Sequence, residues 1–215
     1  MWRTLSYLDE KGEKIFHLRT ERKEQILAEK YITPDSVVLE LGARYGTVSC
    51  VINKMLSNKK NQVSVEPDER VWDALEDNMK RNDCNFHIIK GFISNKKLAL
   101  TNVDDWRGYG AKSTEDTSSK IPSFTIKEIE RKYRLRFNTL VADCEGFLCT
   151  FFEENPTFYD QLDLIIFEKD NPTMCSYTGI KNKLKERGFK QLVTLFREVW
   201  RRPRRQNTTR RVKRN

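Results

Sequence analysis

Four carboxylates in this chain sit at the ends of apolar runs. Glu40 follows Val37-Val38-Leu39, Glu66 follows Val63-Ser64-Val65, Asp143 follows Leu140-Val141-Ala142, and Glu168 follows Ile165-Ile166-Phe167. Runs of this kind read as buried strands of a parallel sheet, which have little use for charge along their length. Acids at their carboxyl ends are candidates for ligand contact, because open α/β sheets bind ligands at that rim. The first run continues into Gly42-Ala43-Arg44-Tyr45-Gly46 and then a helical pattern, which reads as strand, tight turn and helix N-terminus. Glycines there would let a bound nucleoside approach the backbone with no Cβ in the way.

Glu66 lies 20 residues beyond Gly46, where a strand-end carboxylate can accept both hydroxyls of a ribose. Two nucleoside ligands fit that spacing, a dinucleotide and S-adenosylmethionine (SAM). The dinucleotide fingerprint G-x-G-x-x-G requires glycine where this chain has Arg44, and there is no G-x-x-x-x-G-K-[ST] phosphate loop. Glu40 ahead of the turn would repel a pyrophosphate but attract the amino group of a methionine moiety. The pattern favours SAM.

The elements that must carry these residues follow from periodicity. A helix from a Thr20 cap to about Tyr31 precedes the first strand, and Thr33-Pro34-Asp35 breaks it. Pro67-Asp68 opens a helix with Val71, Trp72, Leu75 and Met79 on its buried stripe. Phe86–Lys90 is a third strand leading to Gly91-Phe92, and Thr125-Ile126-Lys127-Glu128 is a capping box. Phe189–Phe196 reads as a sixth strand, while Arg197–Trp200 is too short to count as a seventh. Strands alternating with helices imply an α/β fold, a doubly wound, largely parallel Rossmann-like sheet. Residues 1–200 are expected to form one domain, with 1–34 as an N-terminal cover. The polar stretch 95–121 lacks periodicity and reads as a substrate loop, in which Trp106 and Tyr109 are candidates for stacking on a sugar or adenine face, with pinning of the loop to the core as the alternative.

Charge and cysteine content narrow the setting. Of a formal net charge of +9, eight positive charges fall in 201–215, so the preceding residues are nearly neutral. Such a tail is expected to be disordered, with a weak, salt-sensitive polyanion contact or simple solvation as its alternatives. No apolar run is long enough to span a membrane, and the first residues lack the apolar core of a signal peptide. Five cysteines without framework spacing suit a reducing, cytoplasmic setting better than a disulfide scaffold. His87 lies in a strand and reads as structural; His17 could reach the rim.

The ordered set Val38-Leu39-Glu40-Leu41-Gly42-Ala43, Val65-Glu66-Pro67, Phe124-Thr125-Ile126, Val141-Ala142-Asp143-Cys144-Glu145-Gly146 and Ile165-Ile166-Phe167-Glu168 resembles FkbM-type methyltransferases over residues 35–172. That resemblance implies the class I methyltransferase fold and SAM-dependent methylation of a hydroxyl, most plausibly on a sugar, deoxysugar or glycan. By position it implies that Glu40, Gly42, Ala43 and Gly46 hold the methionine part. Glu66 and Pro67 would then hold the ribose, and Gly91 and Phe92 the adenine edge. Arg44-Tyr45 in the turn and Cys144 between two acids depart from the usual pattern.

Asp143 and Glu145 then face the acceptor, either of them as the base that removes the hydroxyl proton. The separation of Asp143 from Glu168 and Asp170-Asn171 is similar to that in metal-dependent catechol-type O-methyltransferases. It implies, as one alternative, a divalent cation (Mg, Mn or Ca) on Asp143, Glu168 and Asp170. The other alternative is that Glu168 and Asp170 only cap strand and turn. A ribose 2′-O RNA methyltransferase and a non-catalytic nucleoside-binding module are the competing functions. The tail favours RNA, but the [ND]-P-P-[YF] element of base methylation is missing after Asp143.

Overall fold

A computed structural model describes residues 2–17, 19, 21–103 and 110–203. Its centre is a sheet of seven strands: β1 (Val38–Leu41), β2 (Gln62–Glu66), β3 (His87–Lys90), β4 (Thr139–Ala142), β5 (Leu164–Glu168), β6 (Lys190–Thr194) and β7 (Arg197–Arg201). The spatial order is β3-β2-β1-β4-β5-β7-β6. β3, β2, β1, β4 and β5 are parallel neighbours, whereas β7 runs antiparallel to both β5 and β6. The order reverses between β1 and β4, which creates the switch point where such sheets bind ligands.

Among the described residues seven α-helices flank the sheet: α1 (Arg22–Tyr31), α2 (Thr47–Met55), α3 (Trp72–Arg81), α4 (Ile126–Tyr133), α5 (Leu148–Glu154), α6 (Phe158–Gln161) and α7 (Tyr177–Glu186). Side chains alternate across each strand, so one strand feeds two cores. Val38, Val141, Leu164, Ile166 and Val199 pack with Ala28, Val51 and Ile52 of α1 and α2. Leu39, Leu140, Ile165, Phe167 and Trp200 face Ile129, Leu148, Phe151, Ile180 and Leu184 from α4, α5 and α7. β1 and β4 are buried along their whole length, as a sheet covered on both faces requires. The α4 capping box is present: the Thr125 hydroxyl accepts from Glu128 N, and the Glu128 carboxylate accepts from Thr125 N.

Register aligns the functional rim. Leu41 is opposite Val65 and Ala142, and Ala142 is opposite Phe167. Gly42, Glu66, Asp143 and Glu168 therefore emerge side by side.

Three expectations change. Arg197–Arg201 is a full strand, with Glu198, Val199 and Trp200 buried, so the sheet has its seventh member and runs past the boundary expected at 200. The run read as one strand to Phe196 ends as a strand at Thr194, and Leu195 and Phe196 are exposed in the turn that joins β6 to β7. Within 95–121, Leu98–Thr101 pairs antiparallel with Lys112–Glu115 as a hairpin, not a structureless loop. Its polar residues masked the pairing because the hairpin buries little. Trp106, Tyr109 and the capping Thr20 lie outside the described residues, as do 204–215.

A further change is covalent. Cys149 in α5 and Cys175 ahead of α7 form a disulfide, with Cα atoms 5.2 Å apart, where framework spacing argued against one. Strand pairing of β4 with β5 brings together residues 26 apart, which spacing alone does not reveal. Among the described residues no helix is long and apolar enough to cross a membrane.

Candidate functional site

A cleft of about 770 Å³, counting space open to solvent, lies over the carboxyl ends of β1, β2 and β4. Leu41, Gly42, Glu66, Pro67, Gly91 and Phe92 form one wall, and Asp143, Cys144, Glu145 and Phe147 form the other. Leu100, Ala111 and Ser113 of the 98–115 hairpin close it from above. A second chamber of about 390 Å³ adjoins it and shares Glu21, Leu41, Gly42 and Asp143. Glu24, Glu40, Glu168 and Arg197 complete the polar lining of that chamber.

Glu66 is buried and fixed by the turn it follows. Its Oε2 accepts from Arg44 N at 2.6 Å, and its Oε1 accepts from Asp68 N at 2.8 Å. Each oxygen keeps capacity to accept a further hydrogen bond, and Glu66 lines the cleft. Burial raises the Glu66 carboxyl to about 7, against the two N–H donors that favour its charge. Arg44, with φ 41°, turns its guanidinium onto Asp68 at 3.2 Å and over the Tyr45 ring at 4.8 Å. Tyr45 Oη in turn donates to Glu10 at 2.5 Å. The two bulky turn residues thus pin the N-terminal segment and the Asp68 cap.

The glycines do something other than expected. A Cβ on Gly42 would lie 1.7 Å from the Asp143 carbonyl oxygen, and one on Gly91 would lie 2.3 Å from that of Pro122. At both positions the missing Cβ leaves room for neighbouring backbone, both have positive φ, and both still line the cleft. Gly46 begins α2 at φ 79° against Leu75, and lines neither chamber. Ala43 is turned into a core with Tyr7, Cys50, Leu75 and Phe86. Of the residues expected to hold the methionine part, Gly42 lines both chambers and Glu40 lines the second. Ala43 and Gly46 line neither, because the turn curls them back toward α3.

Glu40 sits on the α2 face of β1 within a buried polar network. Ser64 Oγ donates to its Oε2 at 2.5 Å, and Gln62 Nε2 donates to Ser64 Oγ and to the Ser49 carbonyl, both at 3.0 Å. Burial pushes Glu40 up to about 7. Glu21, missed by the sequence reading, lines both chambers and accepts from the Thr47 hydroxyl. Burial, then the Glu40 charge, raises it to about 8.

On the opposite wall, the Asp143-Cys144-Glu145-Gly146 segment forms a turn in which Glu145 (φ 51°) and Gly146 (φ 84°) are left-handed. Their consecutive N–H groups converge on Asp170, at 2.7 Å each, as a backbone nest holds an anion. Tyr177 Oη donates to the same carboxylate at 2.6 Å. Asn171 Nδ2 donates to Glu145 Oε2 at 2.6 Å, which aims the Glu145 side chain. Burial and then the Asp170 charge raise Glu145 to about 7, and Asp143 is raised in the same direction by burial, Glu21 and Asp170.

The acids expected as metal ligands do not come together as a set. Oxygens of Asp143, Glu168 and Glu24 lie within 4.8 Å of one another, and so, separately, do those of Asp143, Glu145 and Asp170. Asp170 is committed to the nest and Tyr177, while Glu168 Oε2 is 2.8 Å from Arg197 Nη2. His17 packs edge-on to the Tyr7 ring, and His87 stacks on Tyr133.

No family model and no curated protein sequence matches this one. Solved structures do. The chain is similar to a precorrin-6y C5,15-methyltransferase of Geobacter metallireducens (TM-score 0.52, 13% identity, covering 86% of this chain and 89% of that one). It is also similar to an O-methyltransferase of Bacillus cereus solved with SAH (0.50, 14%, 85% and 79%). A NADB-Rossmann superfamily protein of Streptococcus agalactiae aligns as well (0.52, 9%, 84% and 68%). None of these comparisons singles out the FkbM type. They and the strand order show that the chain has the Rossmann-like fold of class I methyltransferases.

Proposed function

We propose that the chain is a SAM-dependent O-methyltransferase acting on a hydroxyl, with a sugar or glycan as the acceptor the FkbM-type motifs favour. The observation that carries this reading is one continuous cavity with two unlike walls at the switch point. Glu66, Pro67, Gly91 and Phe92 line the side suited to a nucleoside, and Asp143 and Glu145 line the other. The second chamber adds carboxylates and one guanidinium, charges complementary to the zwitterionic end of a methionine moiety.

Bound SAM supplies a methyl group on a sulfonium, open to in-line displacement. The chain's own residues have two tasks. Glu66 accepts from the ribose hydroxyls, and Phe92 and Phe147 offer apolar surface to the base. Glu145, raised to about 7 and aimed by Asn171, takes the acceptor's proton as the general base. A carboxylate raised to this range is a stronger base than an ordinary one, and Asp143 beside it is the alternative. Trp106 and Tyr109 remain acceptor-contact candidates on sequence grounds.

The test is a methyl-transfer assay over free and nucleotide-linked sugars, glycans and RNA, with and without EDTA. The reading expects transfer to a sugar hydroxyl, abolished in Glu145→Gln. Transfer to RNA instead would replace the acceptor class. SAM binding with no acceptor methylated would replace the enzyme with a nucleoside-binding module.

A further inference from the structure

The second chamber holds more acid than its surroundings neutralise. Glu21, Glu24, Glu40, Asp143 and Glu168 all line it, and Arg197 is the only basic residue among the lining residues. Arg197 arrives on β7, whose antiparallel register sets it directly opposite Glu168. Its Nη2 lies 2.8 Å from Glu168 Oε2, and its Nε contacts Glu24 Oε1. Glu24, on the first turn of α1, is 6% exposed, and among the described residues its carboxylate has no hydrogen-bond partner and is balanced by the Arg197 ion pair. The oxygens of Glu24, Glu168 and Asp143 lie within 4.8 Å of one another, which is ligand spacing for a hard divalent ion.

We infer that Arg197 is the resident cation of this chamber, seated where Glu24, Asp143 and Glu168 would otherwise hold a divalent metal. A guanidinium keeps its charge under all ordinary conditions and offers several N–H donors in a plane, so one side chain bridges two carboxylates. A divalent ion on the same oxygens would meet that fixed positive charge at close range. Asp170 gives no way around it, since its oxygens accept from Glu145 N, Gly146 N and Tyr177 Oη. Arg197 is a positioning residue here: it sets the spacing of Glu24 and Glu168 beside Asp143. This inference goes beyond the methyl-transfer reading, and its readout does not depend on it.

The experiment is calorimetric titration of Mn²⁺ alone into the full chain, repeated by the paramagnetic signal of free Mn²⁺. The wild type is expected to show no stoichiometric site. Arg197→Ala is expected to gain one Mn²⁺ per chain, with affinity at least tenfold above wild type, and to lose it again in combination with Glu168→Gln. Arg197→Lys should keep the site closed. Arg197→Met, which preserves the stem packed in β7, serves as the second variant should Arg197→Ala fail to fold. Stoichiometric Mn²⁺ binding by the wild type that Glu168→Gln abolishes would overturn the inference whatever the variants do. A folded Arg197→Ala or Arg197→Met with no gain of Mn²⁺ would overturn it equally.

Discussion

The two sides of the switch point hold their acids by different means. On the β2 side, Glu66 is gripped by backbone: the N–H groups of Arg44 and Asp68 come from turns adjacent to its own strand and to β1. On the β4–β5 side the acids are gripped by backbone and side-chain donors together, from several elements. Asp170 binds the Glu145–Gly146 nest and Tyr177, Asn171 aims Glu145, and Arg197 bridges Glu24 and Glu168. A disulfide then ties α5 to the segment ahead of α7. The first arrangement uses main-chain donors alone and is hard to alter without altering the fold. The second depends on side chains that single substitutions remove, so the β4–β5 wall can change while the β2 wall persists.

That contrast can be broken from either side. The largest effect is expected at Gly42→Ala. The new Cβ would need the space of the Asp143 carbonyl and a left-handed φ, so a loss of about 3 kcal/mol or more is expected. Thermal unfolding checks it, and a wild-type Tm would contradict the packing role. Asp170→Ala removes the acceptor of three donors, which predicts a loss of about 3 kcal/mol from hydrogen bonds to a charged group. It should also collapse methyl transfer while SAM affinity stays near wild type. Equal damage to both would mean the two walls are not separable.

Reduction of Cys149–Cys175 should act in the same direction more gently, with about 2–4 kcal/mol of stability lost in urea. SAM affinity is again expected to hold. The smallest effect concerns pH. Burial raises the carboxyls of Glu40, Glu66 and Glu21 to about 7, 7 and 8 in the unliganded chain. Groups raised on folding contribute stability at low pH that is lost as pH climbs through those values. A cationic ligand favours their ionised forms, so it binds with release of protons. SAM affinity should therefore rise between pH 6 and 8, on the order of tenfold, as titration in two buffers of different ionisation heat will show.

The same contrast explains what the sequence disclosed. Strands β1 to β5, and the acids that end four of them, were legible because buried parallel strands write themselves as apolar runs. Glu66 was legible because it ends an apolar run 20 residues past Gly46. Strand alternation also carries a signal for Glu40 that went unused: it shares parity with Val38, not Leu39, and so points to the α2 face. The short β7 was hidden, since Arg197 and Glu198 look like solvated charges until the register places them against Glu168 and under Trp200 Nε1. Glu21 and Glu24 were hidden for a like reason, being acids on a charged helix start. Nothing local marks Asp170 as the anion of a nest, because the nest lies 25 residues away.

The most direct test is calorimetric titration of SAM into the full chain and into Glu66→Gln, which keeps the side chain's size. The account predicts one site per chain, weakened about 10- to 100-fold in the variant by loss of charge-assisted hydrogen bonds to the ribose. No binding to the wild type, or equal affinity in the two proteins, would contradict it.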